Sequence, residues 1–240
     1  RLFCIDPSRC IAQCLDKGRG RVFFSATLLP VGYYKKLLSG KADDYAVYAR
    51  SPFPRENRML LVGTDVSSRY TRRNRSEYQK IGAYIRALAG SHKGNYLVFF
   101  PSYQYMLAVE EELGQAGPKG FQWRTQTSRM DEAEREQFLA EFEQQRQESF
   151  VGLCVLGGIF SEGIDLKEER LEGAVIVGTG LPMVCTEQET LKSYFEEQGE
   201  DGYTFAYQYP GMNKVLQAAG RVIRTGTDRG VILLLDDRFL

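Results

Sequence analysis

The stretch Gln217–Phe239, QAAGRVIRTGTDRGVILLLDDRF, concentrates the most specific polar chemistry of the chain. With Gln217 on a helix, Gly220, Arg221 and Arg224 fall at i+3, i+4 and i+7 and share one face, while Val222 and Ile223 face the other way. Two guanidinium groups and an amide then point in one direction across a glycine that permits close approach. A guanidinium keeps its charge and presents a planar fork of donors that matches phosphate oxygens. Aimed at a triphosphate, such a pair stabilises the charge that develops in phosphoryl transfer. The same residues also suit a surface helix whose arginines pair with Asp228, Asp236 or Asp237.

Three further stretches carry polar groups where strands should end. GGIFSEGIDL, Gly157–Leu166, mixes glycines with Ser161, Glu162 and Asp165 after an apolar run. In an open α/β sheet, ligands bind in the loops at the carboxyl ends of strands. Gly163 allows close backbone approach, and Glu162 and Asp165 are acceptors for a ribose hydroxyl or a facing arginine; a tight turn with solvated acids is the alternative. In YLVFFPSY, Tyr96–Tyr103, a buried run meets Pro101, and Ser102 is placed to cap the next helix. That helix start is a phosphate site in principle, with Tyr103 and Tyr105 able to add base or sugar contacts, or it is a plain cap. In FFSATLLP, Phe23–Pro30, Ser25 and Thr27 can relay hydrogen bonds between sites or simply end a strand.

One absence matters as much. No GxxxxGK[ST] loop occurs, so nothing in this sequence cradles β- and γ-phosphates in the usual way. GTGLPMV at 178–184 has the glycines without the lysine. Arginines aimed at a triphosphate, with no phosphate loop beside them, imply a loop on a partner domain.

These residues need a frame. Apolar runs at Arg21–Phe24, Met59–Val62, Tyr96–Phe100, Phe121–Thr125, Phe150–Leu156, Ala174–Val177 and Val231–Leu235 read as strands. Several are apolar at consecutive positions, which fits strands covered on both faces in a parallel sheet. Between them lie amphipathic stretches. Ser128 is positioned to cap a helix through DEAEREQFLAEF, with Phe138 and Phe142 on one stripe, and Tyr78–Leu88 and Tyr103–Leu113 read as helices ended by Gly90 and Gly114. The alternation predicts a doubly wound α/β fold, mainly parallel, with helices on both sides. One domain over 1–240 is expected, with a small helical insertion at 186–213; residues 30–58, with Pro30, Pro52 and Pro54, fit the frame least well.

Composition narrows the functional classes. Lys and Arg total 31 and Asp and Glu total 31, so the net charge is zero and a polybasic protein is excluded. The charge is segregated, however: residues 50–93 hold eight Arg and two Lys against three acids. Arg69, Tyr70, Arg72, Arg73 and Arg75 crowd together there, as a solvated face or as a phosphate-backbone surface. No apolar run spans a membrane and no signal peptide is visible, so a cytoplasmic protein is expected, nucleoid-associated if bacterial and nuclear if eukaryotic. Five cysteines at irregular spacing argue against a disulfide framework. Cys4, Cys10 and Cys14 lack the fourth ligand of a closed zinc or iron–sulfur site, so no metal site is expected. A start at Arg1 and an apolar end at Leu240 suggest a piece of a longer protein.

In chain order the stretches read SATL, FFPSY, FSEGIDL, QAAGRVIR. That order resembles the second RecA-like motor domain of superfamily 2 helicases, and the wording of GNYLVFFPSY (Gly94–Tyr103), SPFPRENR (51–58) and GRVIRTGTDRGVILLLDDRF most resembles the XPD/DinG-like, Rad3-related branch. The resemblance covers nearly the whole chain and implies a P-loop NTPase fold without its own P-loop. It implies ATP-dependent 5′-to-3′ unwinding of DNA in repair or recombination. Ser25, Ala26 and Thr27, with Leu28, would couple ATP hydrolysis to DNA movement. Phe100, Pro101, Ser102 and Tyr103, with Ser161, would line the single-strand path, joined by Arg69 and Arg73 of the basic segment. Glu162, Gly163 and Asp165 would link nucleotide to DNA. Gln217, Arg221 and Arg224, beside Gly220, would sense the γ-phosphate, with Arg224 as the favoured arginine finger. ATP and Mg²⁺ would be held mainly by the first motor domain of the same chain, which also carries the phosphate loop, the acid pair and the four-cysteine iron–sulfur element of the XPD relatives. The partners implied are that first domain and single-stranded DNA, with no membrane. Two other readings remain: a non-catalytic DNA-binding or partner-docking module, and an unrelated α/β enzyme with GTGLP as its anion loop.

Overall fold

A computed structural model describes residues 3–38, 40–41, 43–117, 120–160 and 171–240. Cα packing divides the chain into two units, Arg1–Arg50 with Leu181–Asn213, and Ser51–Gly180 with Lys214–Leu240.

The larger unit is built on six parallel strands: β1 (Arg58–Gly63), β2 (Asn95–Phe100), β3 (Phe121–Thr125), β4 (Ser149–Val155), β5 (Gly173–Val177) and β6 (Gly230–Leu235), in the order β1-β6-β5-β2-β4-β3. This is the expected doubly wound α/β fold. The central strands are apolar at consecutive positions because both faces are covered. Along β2, Tyr96, Val98 and Phe100 face one cluster with Ile81, Ile85, Tyr105, Met106 and Val109. Leu97 and Phe99 face the other, with Phe138, Phe142, Val215 and Ala218.

Seven α-helices occur among the described residues. In the smaller unit lie α1 (Ser8–Leu15), α2 (Val31–Leu37) and α6 (Thr186–Glu197); on the sheet lie α3 (Arg75–Ser91), α4 (Tyr103–Gln115) and α5 (Glu132–Ala140). The last helix, α7 (Tyr209–Ala219), packs with the sheet from Lys214 onward. The segment 186–213 is helical, through α6, a π-turn at Thr204–Gln208 and the start of α7. The smaller unit is centred on aromatic rings: Phe195 and Phe205 lie 4.6 Å apart, and Tyr33 sits 5.3 Å from Phe205 and 5.0 Å from Tyr209.

Several expectations need correction. Arg21–Phe24 is extended but pairs with no strand among the described residues, leaving Val22 and Phe24 85% and 89% exposed. The cap of α5 is Asp131, not Ser128: its carboxylate accepts from Glu134 N, and the Glu134 side chain accepts from Asp131 N, a reciprocal pair that Ser128 lies too early to make. Phe142 lies one 3₁₀ turn past the end of α5 yet still packs 5.9 Å from Phe138. Gly90 and Gly114 sit inside the last turns of α3 and α4 and do not terminate them. Neither has a positive φ, so neither forms a left-handed cap.

Candidate functional site

The carboxyl ends of the strands form one edge of the larger unit. There β2 leads through Pro101 and Ser102 into α4, whose first-turn N–H at Tyr105 is capped by Ser102 Oγ at 3.2 Å. Tyr103 is half-buried, and burial, with a smaller contribution from Cys154, raises its phenol above the ordinary range. Its hydroxyl donates to Thr127 O and accepts from Gln126 Nε2 at 2.8 Å. Gln126 is 3% exposed, and its Oε1 accepts from Val155 N at 3.0 Å. One buried amide thereby continues the β3–β4 ladder past Thr125 and ties Tyr103 to the exit of β4. The loop there turns at Gly157, φ +75°, where a Cβ would lie 3.1 Å from Lys214 Cδ.

On the other side of the edge a buried carboxylate organises three segments. Asp236, 0% exposed, follows β6. Its Oδ2 accepts from Ser68 N (2.9 Å), Ser68 Oγ (2.7 Å) and Arg238 Nη2 (2.9 Å), and its Oδ1 from Arg238 Nε (2.7 Å) and Arg238 N (3.1 Å). Burial alone pushes this carboxyl up, but the hydrogen bonds from Arg238 and Ser68 outweigh it and hold the group well below the usual carboxylate range. Gly178, at the exit of β5, has φ +81°, and a Cβ there would lie 2.4 Å from Ser68 Oγ, so only glycine fits.

The basic segment lies beside this network. Arg69 pairs with Asp237 (3.5 Å), Arg72 with Glu77 (3.0 Å), and Arg75 with Glu112 (2.8 Å). Arg73 donates from Nε to Ser68 O (3.3 Å) and lies over the rings of Tyr70 and Tyr105, 5.5 and 5.2 Å from their centroids.

Not every residue of the FFPSY stretch can meet a ligand. Phe100 and Tyr105 are 0% and 1% exposed and belong to the core, which removes both as direct contacts. Burial also raises the Tyr105 phenol well above its ordinary range. Pro101, Ser102 and Tyr103 are half-buried, and Arg69 is exposed.

The arginine stretch is arranged differently from expectation. The helix α7 stops at Ala219, so Gln217 is helical while Gly220, Arg221 and Arg224 follow the helix end and share no helix face with it. The reason is local. Asp228 Oδ2 accepts from Arg224 N (2.7 Å) and Thr225 N (2.8 Å), and its Oδ1 from Thr225 Oγ1 (2.6 Å), offering the backbone a turn instead of another helical rung. Burial acts against the charge of Asp228, but these bonds and the nearby Arg224 lower its pKa. Arg221 and Arg224 are half-buried. The segment returns to the start of β6, where a Cβ on Gly230 would meet Val222 at 2.3 Å. It therefore lies by the amino end of β6, opposite the edge that carries Ser102 and Asp236.

Ser161, Glu162, Gly163 and Asp165 lie outside the described residues. Ser25, Ala26 and Thr27 fall in the smaller unit, in an exposed turn where Thr27 N donates to Ser25 Oγ at 3.2 Å. Gln126, Lys214 and the Asp236–Arg238–Ser68 network went unread in the sequence. Only the Asp236-Asp237 pair after the last strand gave a signal. Among the described residues no group of three His, Cys, Asp or Glu side chains is arranged to hold a metal ion, and no helix is long and apolar enough to cross a membrane.

The all-parallel six-stranded sheet with helices on both faces is that of a RecA-like motor domain. A solved XPD helicase superposes with a TM-score of 0.76 at 23% identity, over 98% of this chain and 42% of that one, and an apo XPD structure with 0.77 at 21%, over 98% and 48%. The profile of the helicase C-terminal domain family matches residues 85–240, and the chain belongs to that family, in its XPD/DinG-like branch. The XPD/RAD3 helicase subunit of general transcription and DNA repair factor IIH from Saccharomyces cerevisiae is 26% identical over all of this chain and 32% of its own length. A probable ATP-dependent helicase of Methanocaldococcus jannaschii is 27% identical over 79% of this chain and 30% of its own length. A homologue of regulator of telomere elongation helicase 1 from Aedes aegypti is 27% identical over 99% and 25%. The chain thus spans a third or less of the length of these relatives.

Proposed function

We propose that this chain is the second motor domain of an ATP-dependent DNA helicase that tracks 5′ to 3′ on single-stranded DNA and serves repair or recombination. A first RecA-like domain holds ATP and Mg²⁺. Arg221 and Arg224 reach the γ-phosphate when the cleft between the two closes, with Gln217 and Gly220 beside them. The observation that carries this reading is the Arg221–Arg224 segment. Two half-buried arginines follow one helix end on a backbone that Asp228 pins at two successive N–H groups, in a sequence with no phosphate loop of its own. Pre-set guanidinium groups stabilise transferring phosphoryl charge without reorganising at the moment of reaction.

The need for a first domain has separate support. Arg21–Phe24 is an apolar, extended run with its side chains in solvent, and Ser25–Thr27, the proposed coupling turn, follows it directly. On this reading the first motor domain covers that run. Pro101, Ser102 and Tyr103 contact the strand from the opposite end of the sheet, with Arg69 and Arg73 beside them. Ser161 would contact the strand as well, and Glu162, Gly163 and Asp165 would link it to the nucleotide.

The test uses the full-length protein. Arg224→Ala should lower kcat for DNA-stimulated ATP hydrolysis about 10³-fold, the scale of an arginine finger, with an unchanged melting temperature. Residues 1–240 alone should hydrolyse no ATP, and wild type should unwind a duplex with a 5′ tail and not one with a 3′ tail. Unaltered turnover in Arg224→Ala, or turnover by the isolated chain, refutes the assignment.

A further inference from the structure

We propose that Tyr70 is a base-stacking residue for single-stranded nucleic acid, displayed at the carboxyl edge of the sheet by Arg73; this rests on the DNA-tracking function proposed above and adds a contact of a different chemical kind. Tyr70 opens the 3₁₀ turn Tyr70–Arg72 and is 84% exposed. A single exposed aromatic is ordinary on a protein surface. What sets Tyr70 apart is how its ring is held. The Arg73 guanidinium lies over Tyr70 on one side and over Tyr105 on the other, at 5.5 and 5.2 Å from the two centroids. Arg73 Nε is tied to Ser68 O, and Tyr105 is 1% exposed with its hydroxyl on Ser67 O. A solvent-facing ring is therefore anchored through a cation to the rigid core, which lowers the entropy lost when a base stacks on it.

The surrounding charges favour a base over a phosphate. A backbone track needs cations with charge to spare. Here Arg69 and Arg72 face Asp237 and Glu77, and Arg238 is committed to Asp236. The basic segment that composition marks as a phosphate surface is largely neutralised by its own acids, and its most exposed binding element is an aromatic face. Stacking on such a face tolerates any base sequence, as a translocating protein requires. The position fits too. Tyr105, the second ring of the sandwich, lies in the first turn of α4, directly after the Pro101–Tyr103 loop.

The test measures Kd of the full-length protein for oligo(dT) and for an abasic strand of equal length. Tyr70→Ala should raise Kd for oligo(dT) about tenfold, within the range known for losing one base–aromatic stack, and leave Kd for the abasic strand unchanged. The slope of log Kd against log salt should stay as in wild type, since no phosphate contact is lost. Tyr70→Trp should restore affinity, and its added fluorescence should be quenched by oligo(dT) but not by the abasic strand. An exposed side chain leaves the fold intact, checked by an unchanged melting temperature. Unchanged oligo(dT) binding in Tyr70→Ala, an equal loss on the abasic strand, or a shallower salt slope overturns the proposal, the first pointing to a protein contact instead. Failure of wild type to bind oligo(dT) at all refutes the DNA-tracking function itself.

Discussion

Replacing Asp236 with Asn tests whether buried charge holds the carboxyl edge together. The carboxylate accepts five hydrogen bonds with no solvent exposure, and every neighbour that the bonds reach is a donor. An amide turns one acceptor into a donor, so either orientation sets an NH₂ against Ser68 or Arg238. Breaking one side of a buried pair costs about 3–5 kcal/mol, and the partly open Arg238 side chain argues for about 3 kcal/mol. The pH dependence follows from the lowered carboxyl. The folded value lies below the unfolded one, so the stabilisation is complete above the unfolded value and fades as pH falls toward the folded one. Each pH unit below about 4 removes about 1.4 kcal/mol, so the gap between wild type and Asp236→Asn should be flat from about pH 5 to 8 and about 2 kcal/mol narrower at about pH 2.5. Urea unfolding followed by Trp123, the one tryptophan of the chain and a residue of β3, reads this directly. A gap below about 1 kcal/mol at neutral pH, or one that widens in acid, refutes the reasoning.

Two further substitutions probe neighbouring parts of the same edge. Gln126→Leu strips Val155 N of its acceptor and Tyr103 of its donor, and should destabilise the domain by about 1–3 kcal/mol in urea. In the full-length protein it should also weaken single-strand binding non-additively with Tyr103→Phe, because both act on one hydroxyl; additive losses would separate the two residues. Gly178→Ala forces a Cβ to 2.4 Å from Ser68 Oγ at a φ of +81° and should cost about 2 kcal/mol or more, read as a lowered urea midpoint; an unchanged midpoint would mean that the turn can relax.

Burial on both faces left a plain trace in the sequence, and six of the seven apolar runs are strands of one sheet. The seventh, Arg21–Phe24, shows the limit of that signal: an apolar run reports that a segment can be covered, not that the covering element is present. Ser102 was legible because a cap is a local event of residue type and position. The arginine stretch was misjudged for the same local reason. Projecting Gly220, Arg221 and Arg224 onto one face assumes a continuing helix, and Asp228, eleven residues after Gln217, offers the backbone of Arg224 and Thr225 a better partner. Phe100 was assigned with its neighbours as a motif, yet alternate residues of a strand point to opposite faces, and at β2 both faces are core. Gln126 left no trace, since its value lies in two partners 23 and 29 residues away.

The separation of the two stations constrains how they could communicate. The arginine segment lies by the start of β6 and the Pro101–Tyr103 loop at the exit of β2. Between them runs a sheet in which Leu97, Val98, Phe99, Phe100, Ile176 and Val177 are all 0% exposed. Close-packed interiors do not deform smoothly, so a signal through this sheet would have to break packing that Gly152 and Gly230 show to be already at contact. Under the proposed function the arginines and the single-strand edge therefore move as one rigid piece against the first domain, as in a hinge closure. Internal rearrangement is left to the loops at the strand ends. Gln126 and Asp236 fix two of those loops to the sheet, so weakening either should loosen an end of the domain without disturbing its middle.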